Sequence, residues 1–169
     1  FFEIESLEKI EDYQVSVLYN IKNVTPKYTN QINIYGNTRT IDKVIRREVG
    51  LSEGDAYNKY TVNYSKGSVR ALNFFSDVEI DEQRTNYPDK IDLIVTVEEK
   101  NTGEASIGAG YSSSTAGNLN LGLKENNFLG RGQKVNFGAS FANTRTTYDI
   151  KFTEPYFNNK PLSLTTEVY

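Results

Sequence analysis

The sequence predicts an α+β module of order β-α-α-β-β, followed by an antiparallel all-β region of successive hairpins. Three observations carry this reading. Between residues 27 and 100 the apolar residues recur first with a strand period, then with two helix periods, then with two more strand periods. After residue 103 the period is two throughout. The composition changes at the join: 23 of 74 residues are charged over 27–100 and 11 of 69 over 101–169, while four of the twelve glycines precede Asn101 and eight follow it.

Each element has its own signal. Gln31–Tyr35 reads as a strand with Ile32 and Ile34 inward, and Gly36-Asn37 closes it with a turn. A helix is expected from about Thr40, with Ile41, Val44, Ile45 and Val49 as its buried stripe. Thr38 or Thr40 is expected to cap it, and Gly50 to end it in the left-handed conformation. A second helix starts after Asn58, its cap, and buries Val62, Ser65, Val69 and Leu72. Phe74-Phe75 leads into a strand with Val78 and Ile80 inward and Asp77, Glu79 and Asp81 outward. A turn at Asn86–Asp89 precedes a strand that buries Ile91, Leu93, Val95 and Val97. Tyr13, Val15, Val17 and Tyr19 repeat that alternation 78 residues earlier, which suggests the end of a preceding copy of the module.

Five alternating segments follow. Ala105, Ile107, Ala109 and Tyr111 share one face; so do Leu119, Leu121 and Leu123, then Val135, Phe137, Ala139 and Phe141, then Tyr148, Ile150 and Phe152, then Leu162, Leu164 and Val168. Turn residues separate them, among them Ser-Ser-Ser-Thr-Ala-Gly, Asn-Asn-Phe-Leu-Gly-Arg-Gly, Asn-Thr-Arg and Asn-Asn-Lys-Pro. Two architectures fit. A soluble sandwich packs the apolar face on a second sheet; a membrane barrel turns that face to lipid and lines its lumen with the polar one. Strands of about 9–11 residues suit a tilted crossing. Tyr111, Phe128, Tyr156 and Phe157, near strand ends, suit an interfacial girdle.

Composition removes several functions. The net charge is -3 and the pI near 5.1, so there is no basic footprint for nucleic acid. With no cysteine and no histidine, thiolate metal sites and the commonest general base are absent. No nucleotide motif stands in its strand-helix context, so no enzyme and no cofactor are expected. The chain opens on Phe1-Phe2 without methionine and reads as an internal fragment or mature segment.

The ordered set of segments resembles a known family. The order β-α-α-β-β looks like a POTRA domain, and IYGNTRTIDKVIRREVGLSEGD is similar to the opening of the POTRA that adjoins the barrel in BamA-type outer-membrane assembly factors. NFFSDVEIDEQ resembles that domain's second strand, VEEKNTGEASIGAGY its junction with the barrel, and ENNFLGRGQ and FTEPYF early barrel segments. The resemblance implies three parts: residues 1–25 as the end of a preceding POTRA, 27–100 as the last POTRA, and 103–169 as the first five or so strands of an incomplete barrel. It implies localisation in the outer membrane, with POTRA domains in the periplasm.

The implied function is folding and insertion of outer-membrane β-barrel clients. A related secretion transporter, or a soluble β-sandwich binding module, is the alternative. Client strands would add to the POTRA edge at Asp77, Val78, Glu79, Ile80 and Asp81, and to the first barrel strand at Ala105, Ile107, Gly108, Ala109, Gly110 and Tyr111. The acidic side chains equally read as protection of an exposed edge, and the strand glycines as aids to curvature. Arg46 and Glu53 would contact an accessory lipoprotein, though an arginine there also complements the helix dipole. Lipid would meet Leu119, Leu121, Leu123, Val135, Phe137, Phe141, Tyr148, Ile150 and Phe152.

Overall fold

A computed structural model describes residues 2–11, 14–23, 25–112, 116–143 and 145–169. Tyr13 of the repeated segment, residues 113–115 of one expected turn and Thr144 of another lie outside the described residues. The described residues form three sheets. Strands β1 (Phe2–Glu11) and β2 (Gln14–Asn23) pair as an antiparallel hairpin. Its Ile4, Leu7, Ile10, Val15, Val17, Leu18 and Tyr19 are all exposed.

The second sheet holds β3 (Tyr28–Tyr35), β4 (Phe75–Arg84) and β5 (Lys90–Glu99) in the order β3-β5-β4. The central strand is therefore the last in sequence. It pairs parallel with β3 and antiparallel with β4. Its alternation is the clearest in the chain: Ile91, Leu93, Val95 and Val97 are all buried. Helices α1 (Asp42–Arg46) and α2 (Lys59–Ala71) contribute Val44, Ile45, Val62 and Val69 to the same core, together with Ile32, Val78, Phe74 and Phe75. Complete burial of a side chain such as Leu93 stabilises the fold by roughly 1.5–3 kcal/mol. Asn58 caps α2 as its sequence predicts, its Oδ1 accepting the Tyr60 N–H at 2.8 Å.

The first helix departs from expectation. It has five residues, no side-chain cap, and an exposed Ile41 just before it. The reason lies 59 residues downstream. Glu99 accepts the N–H groups of Arg39 (2.9 Å) and Thr40 (2.6 Å) and the Thr38 hydroxyl (2.7 Å). These donors are drawn into a loop rather than a helical turn. Gly50 does not adopt a left-handed conformation either; its N–H donates to Ser65 Oγ at 2.9 Å. The left-handed glycines on either side of it are Gly54, at φ 94°, and Gly36, at φ 88°, where a Cβ would lie 1.9 Å from the Val97 carbonyl oxygen.

The third sheet is antiparallel and runs β10-β9-β8-β7-β6. Its strands are β6 (Gly103–Ser112), β7 (Ala116–Phe128), β8 (Gln133–Ala142), β9 (Thr146–Glu154) and β10 (Leu164–Val168). Register sets the faces. Ala105, Leu123, Phe137, Ile150 and Val168 form one cross-strand row, and Ile107, Leu121, Ala139 and Tyr148 the next. On the opposite face runs the row Glu104, Lys124, Asn136, Lys151 and Glu167, with ion pairs Lys124–Glu104 (3.8 Å) and Lys151–Glu167 (3.6 Å) at its ends. The sheet is open, with β6 and β10 at its edges. No second sheet among the described residues covers its apolar face: Ile107, Leu123, Tyr148 and Ile150 are more than half exposed. Among the described residues this face therefore has no packing partner, whereas a sandwich would make it the core. No helix among the described residues is long and apolar enough to cross a membrane.

Candidate functional site

Three places offer groups for recognition: the β4 edge, the β6 edge, and the joint where the αβ module meets the open sheet.

Strand β4 has one neighbour, β5, and its other side is free. Val78 is fully buried and Ile80 partly so, while Asp77, Glu79 and Asp81 are exposed. A bulge lies between Phe75 and Asp77. There the Val78 backbone N–H and the Arg70 guanidinium, 3.1 Å away, hold the Asp77 carboxyl below its ordinary value. Tyr57 donates to Glu82 further along the strand, and burial followed by that carboxylate pushes the phenol up.

The opposite edge, β3, is occupied. The Thr29 N–H donates to the Asp55 carbonyl (2.8 Å), and the Thr29 carbonyl accepts from Gly54 (2.7 Å). At Ile32 the closure is made by side chains: the N–H donates to Glu53 Oε1 (3.3 Å) and the carbonyl accepts from Arg46 Nη2 (2.9 Å). Arg46 and Glu53 are themselves paired at 3.6 Å, and Asp42 holds Arg46 at 2.9 Å. The hydrogen bond that Arg46 donates to Asp42 is the main influence that raises the guanidinium above its ordinary value. Both side chains remain about half exposed, so they close the edge of β3 and still present charge outward.

Strand β6 is one of the two edges of the larger sheet among the described residues, β10 being the other. Ala105, Ile107, Ala109 and Tyr111 share its apolar face, with Gly108 and Gly110 on the other. A Cβ at Gly108 would meet nothing within 4 Å, whereas one at Gly110 would meet the Asn118 side-chain oxygen at 2.5 Å. Leu119, Leu121, Leu123, Val135, Phe137, Phe141, Tyr148, Ile150 and Phe152 all fall on the apolar face.

The joint was not foreseen from the sequence. The turn between β7 and β8 rests against the start of α1. Gly130, at φ 71°, is buried with its Cα against the Arg39 carbonyl, where a Cβ would lie 1.9 Å from the oxygen. Its own carbonyl accepts the Ile41 N–H at 3.0 Å. Asn127 bridges the same surfaces: its Nδ2 donates to Thr40 Oγ1 (2.8 Å), and its Oδ1 accepts from the Gly132 N–H (2.8 Å). Tyr156, read from sequence as part of a girdle, instead lies under the Arg47 guanidinium at 3.9 Å and donates its hydroxyl to Glu48 (3.1 Å). An aromatic near a strand end signals an amphipathic place, and here a folded partner fills it.

Glu99 organises the module's side of the joint. Its side chain is 6 % exposed, with the Arg39 Nε at 3.5 Å. Burial works to raise its carboxyl, but the hydrogen bonds from Thr40, Thr38 and Arg39 outweigh it and hold the group at about 2. Only the acidic tail of VEEK marked this residue in the sequence. Among the described residues no group of three or more metal-ligating side chains converges.

Comparison with known proteins gives a consistent picture. The POTRA family model, described as "Surface antigen variable number repeat", matches residues 27–100, and the Omp85 superfamily domain matches residues 127–169. The chain is 31 % identical over 167 residues to the outer membrane protein assembly factor BamA of Neisseria meningitidis serogroup B, covering 98 % of this chain and 21 % of that protein. It is 30 % identical over 171 residues to the BamA of Nitratidesulfovibrio vulgaris, covering 100 % of this chain and 22 % of that one. The chain thus spans about a fifth of the length of these curated relatives. The crystal structure of BamA from Haemophilus ducreyi lacking POTRA domains 1–3 superposes with a TM-score of 0.83 at 27 % identity, covering 99 % of this chain and 32 % of that one.

Proposed function

We infer, from the premise that the chain belongs to the BamA/Omp85 family, with a POTRA domain and the start of an Omp85 barrel domain, that it takes part in assembling β-barrel proteins into the outer membrane. Family members of this kind are not enzymes, and the chain works without covalent chemistry. The sheet of β6 to β10 belongs to the outer membrane and the αβ module to the periplasm. In this reading residues 1–25 end a preceding POTRA, 27–100 form the next, and 103–169 begin the barrel.

The work is main-chain pairing. An unfolded client strand brings unpaired N–H and C=O groups, costly to bury without partners and costlier still in a bilayer. A free strand edge satisfies them. The observation that supports this reading is the sheet order: β4 is an edge strand of the smaller sheet and β6, like β10, one of the larger, whereas β3 is covered at Thr29 by the 54–55 loop and at Ile32 by Arg46 and Glu53. Residues Asp77 to Asp81 would receive client strands in the periplasm. Ala105 to Tyr111 would receive them at the membrane, where Gly108 and Gly110 weaken the pairing that has to open. Leu119, Leu121, Leu123, Val135, Phe137, Phe141, Tyr148, Ile150 and Phe152 would face lipid. Arg46 and Glu53, half exposed and already paired, would offer a charged surface to an accessory lipoprotein.

The test is Glu79→Pro in the intact protein, with clients captured by photocrosslinkers at Asp77 and Asp81. Proline removes a backbone donor. Client capture should drop several-fold while circular dichroism stays unchanged. Capture at the unaltered level in a folded variant would remove the edge from the mechanism.

A further inference from the structure

A cleft of about 340 Å³ opens where α1, the turn before β8 and the segment after β9 meet. Its position in the sheet can be read from register. Val135 pairs with Phe152 on the apolar face. Gln133 and Glu154, two residues further along each strand, continue that face and are hydrogen-bonded to each other at 2.7 Å. The cleft therefore lies at the module's end of the apolar face, one row beyond the last apolar pair. From the Val135 row to the Phe141 row is roughly 20 Å of strand, which at a barrel tilt of about 40° spans roughly 15 Å of an apolar band about 25 Å tall. The polar pair Gln133 and Glu154 ends the apolar face on the module's side, which sets the cleft at the level of lipid headgroups.

The walls are cationic. Lys43, Arg47 and Arg131 line the cleft against a single carboxylate, Glu154. That carboxylate is already engaged, by Gln133 and by the Tyr156 N–H at 2.9 Å. Arg47 has Glu48 at 3.6 Å and Tyr156 across its face, yet its buried Nε donates to nothing. Arg131 is exposed and makes no ion pair among the described residues.

We propose that this cleft holds the anionic headgroup of a glycerophospholipid, with the phosphate among Lys43, Arg47 and Arg131 and the acyl chains along the apolar row of Val135 and Phe152. The proposal rests on the lipid-facing reading of that row. It gives the joint a second role: a bound lipid bridges α1 of the periplasmic module to the first strands of the barrel. Glu154, which feels both Arg47 and Arg131, and Glu48, which pairs with Arg47, offset two of the three cations; the one unit of positive charge left over attracts anionic lipid about five-fold, and that makes the cleft selective.

The experiment uses the intact protein reconstituted with spin-labelled phosphatidylglycerol or spin-labelled phosphatidylcholine. Electron paramagnetic resonance reads the motionally restricted fraction of each. The unaltered protein should restrict phosphatidylglycerol about five-fold more than phosphatidylcholine. Lys43→Gln with Arg131→Gln leaves the Arg47–Tyr156 stack in place and keeps a donor for Asn159; it should bring the ratio to about one. Restricted lipid of both kinds with no preference, or a preference untouched by the double substitution, overturns the proposal and leaves the lipid-facing reading intact. Absence of restricted lipid of either kind overturns both. Loss of the preference in inorganic phosphate at matched ionic strength marks a site for free anions and also overturns it.

Discussion

Replacing Gly130 with alanine probes how firmly the αβ module is fixed to the sheet. The residue sits at φ 71°, a conformation that costs an L-residue about 1–2 kcal/mol. The new Cβ would lie 1.9 Å from the Arg39 carbonyl oxygen, 2.9 Å from its carbon and 3.3 Å from Thr40 Cα. All three are backbone atoms, so no rotamer change relieves the overlap. Restoring ordinary contact requires the turn to withdraw by roughly 1.5 Å. The Gly130 carbonyl would then lose the Ile41 N–H, now at 3.0 Å, and Asn127 would lose Thr40 Oγ1, now at 2.8 Å. At about 1 kcal/mol net for each bond, the joint weakens by about 3–4 kcal/mol in all. Amide hydrogen exchange in the intact protein measures this directly. The Ile41 amide should exchange faster by two to three orders of magnitude, while the Val95 amide, in the core of the module, keeps its protection. Ile41 protection within about three-fold of the unaltered protein would refute the reasoning, because it would mean that the turn does not hold the helix start.

Two further outcomes follow from other residues. Glu99 is depressed to about 2 in the folded chain from an ordinary 4.5. Between those values the unfolded chain binds the extra proton, so stability is fully present above pH 4.5 and falls as the pH drops toward 2; the loss is on the order of 3 kcal/mol. Glu99→Gln should lower the melting temperature at pH 7 and flatten the acid limb of its pH profile; an unchanged limb would assign the acid sensitivity elsewhere. Gly108→Val meets open space and should leave the barrel folded, whereas Gly110→Val must displace the end of the Asn118 side chain. Both should slow client insertion in a reconstituted assay by stiffening β6, and normal rates in either folded variant would separate the glycines from the seam.

What the sequence disclosed depended on how far away each residue's partner lies. The alternation of Ile91, Leu93, Val95 and Val97, the stripe and cap of α2, and the faces of β6 to β9 are local patterns, and each forms as its spacing predicts. The reading of α1 failed at both ends because the residues that shape it are remote. Glu99 takes the N–H groups that a cap would have served, and the Gly130 carbonyl takes that of Ile41. Tyr156 is an aromatic near a strand end, but its partner is Arg47, more than a hundred residues away in the chain. The candidate edges were legible as alternating segments. That β3 is closed and β4 free was not, because the closure at Ile32 uses Arg46 and Glu53 from outside the strand.

The strand order β3-β5-β4 also dictates the sequence of events as the chain emerges N-terminus first. Strand β3 meets its first sheet partner only at β5, about 60 residues later, so it cannot fold when it appears. The β4–β5 hairpin is the most local pairing of this sheet, so its loop closure is the least costly, whereas pairing with β3 must close across both helices. Completion comes with Glu99, which ties the 38–40 loop to the end of β5. Only three residues separate Glu99 from β6. All three strands of the smaller sheet and the Glu99 tie thus precede the first strand of the larger one in the chain, while the start of α1 still waits for the turn at Gly130 to supply the acceptor for Ile41.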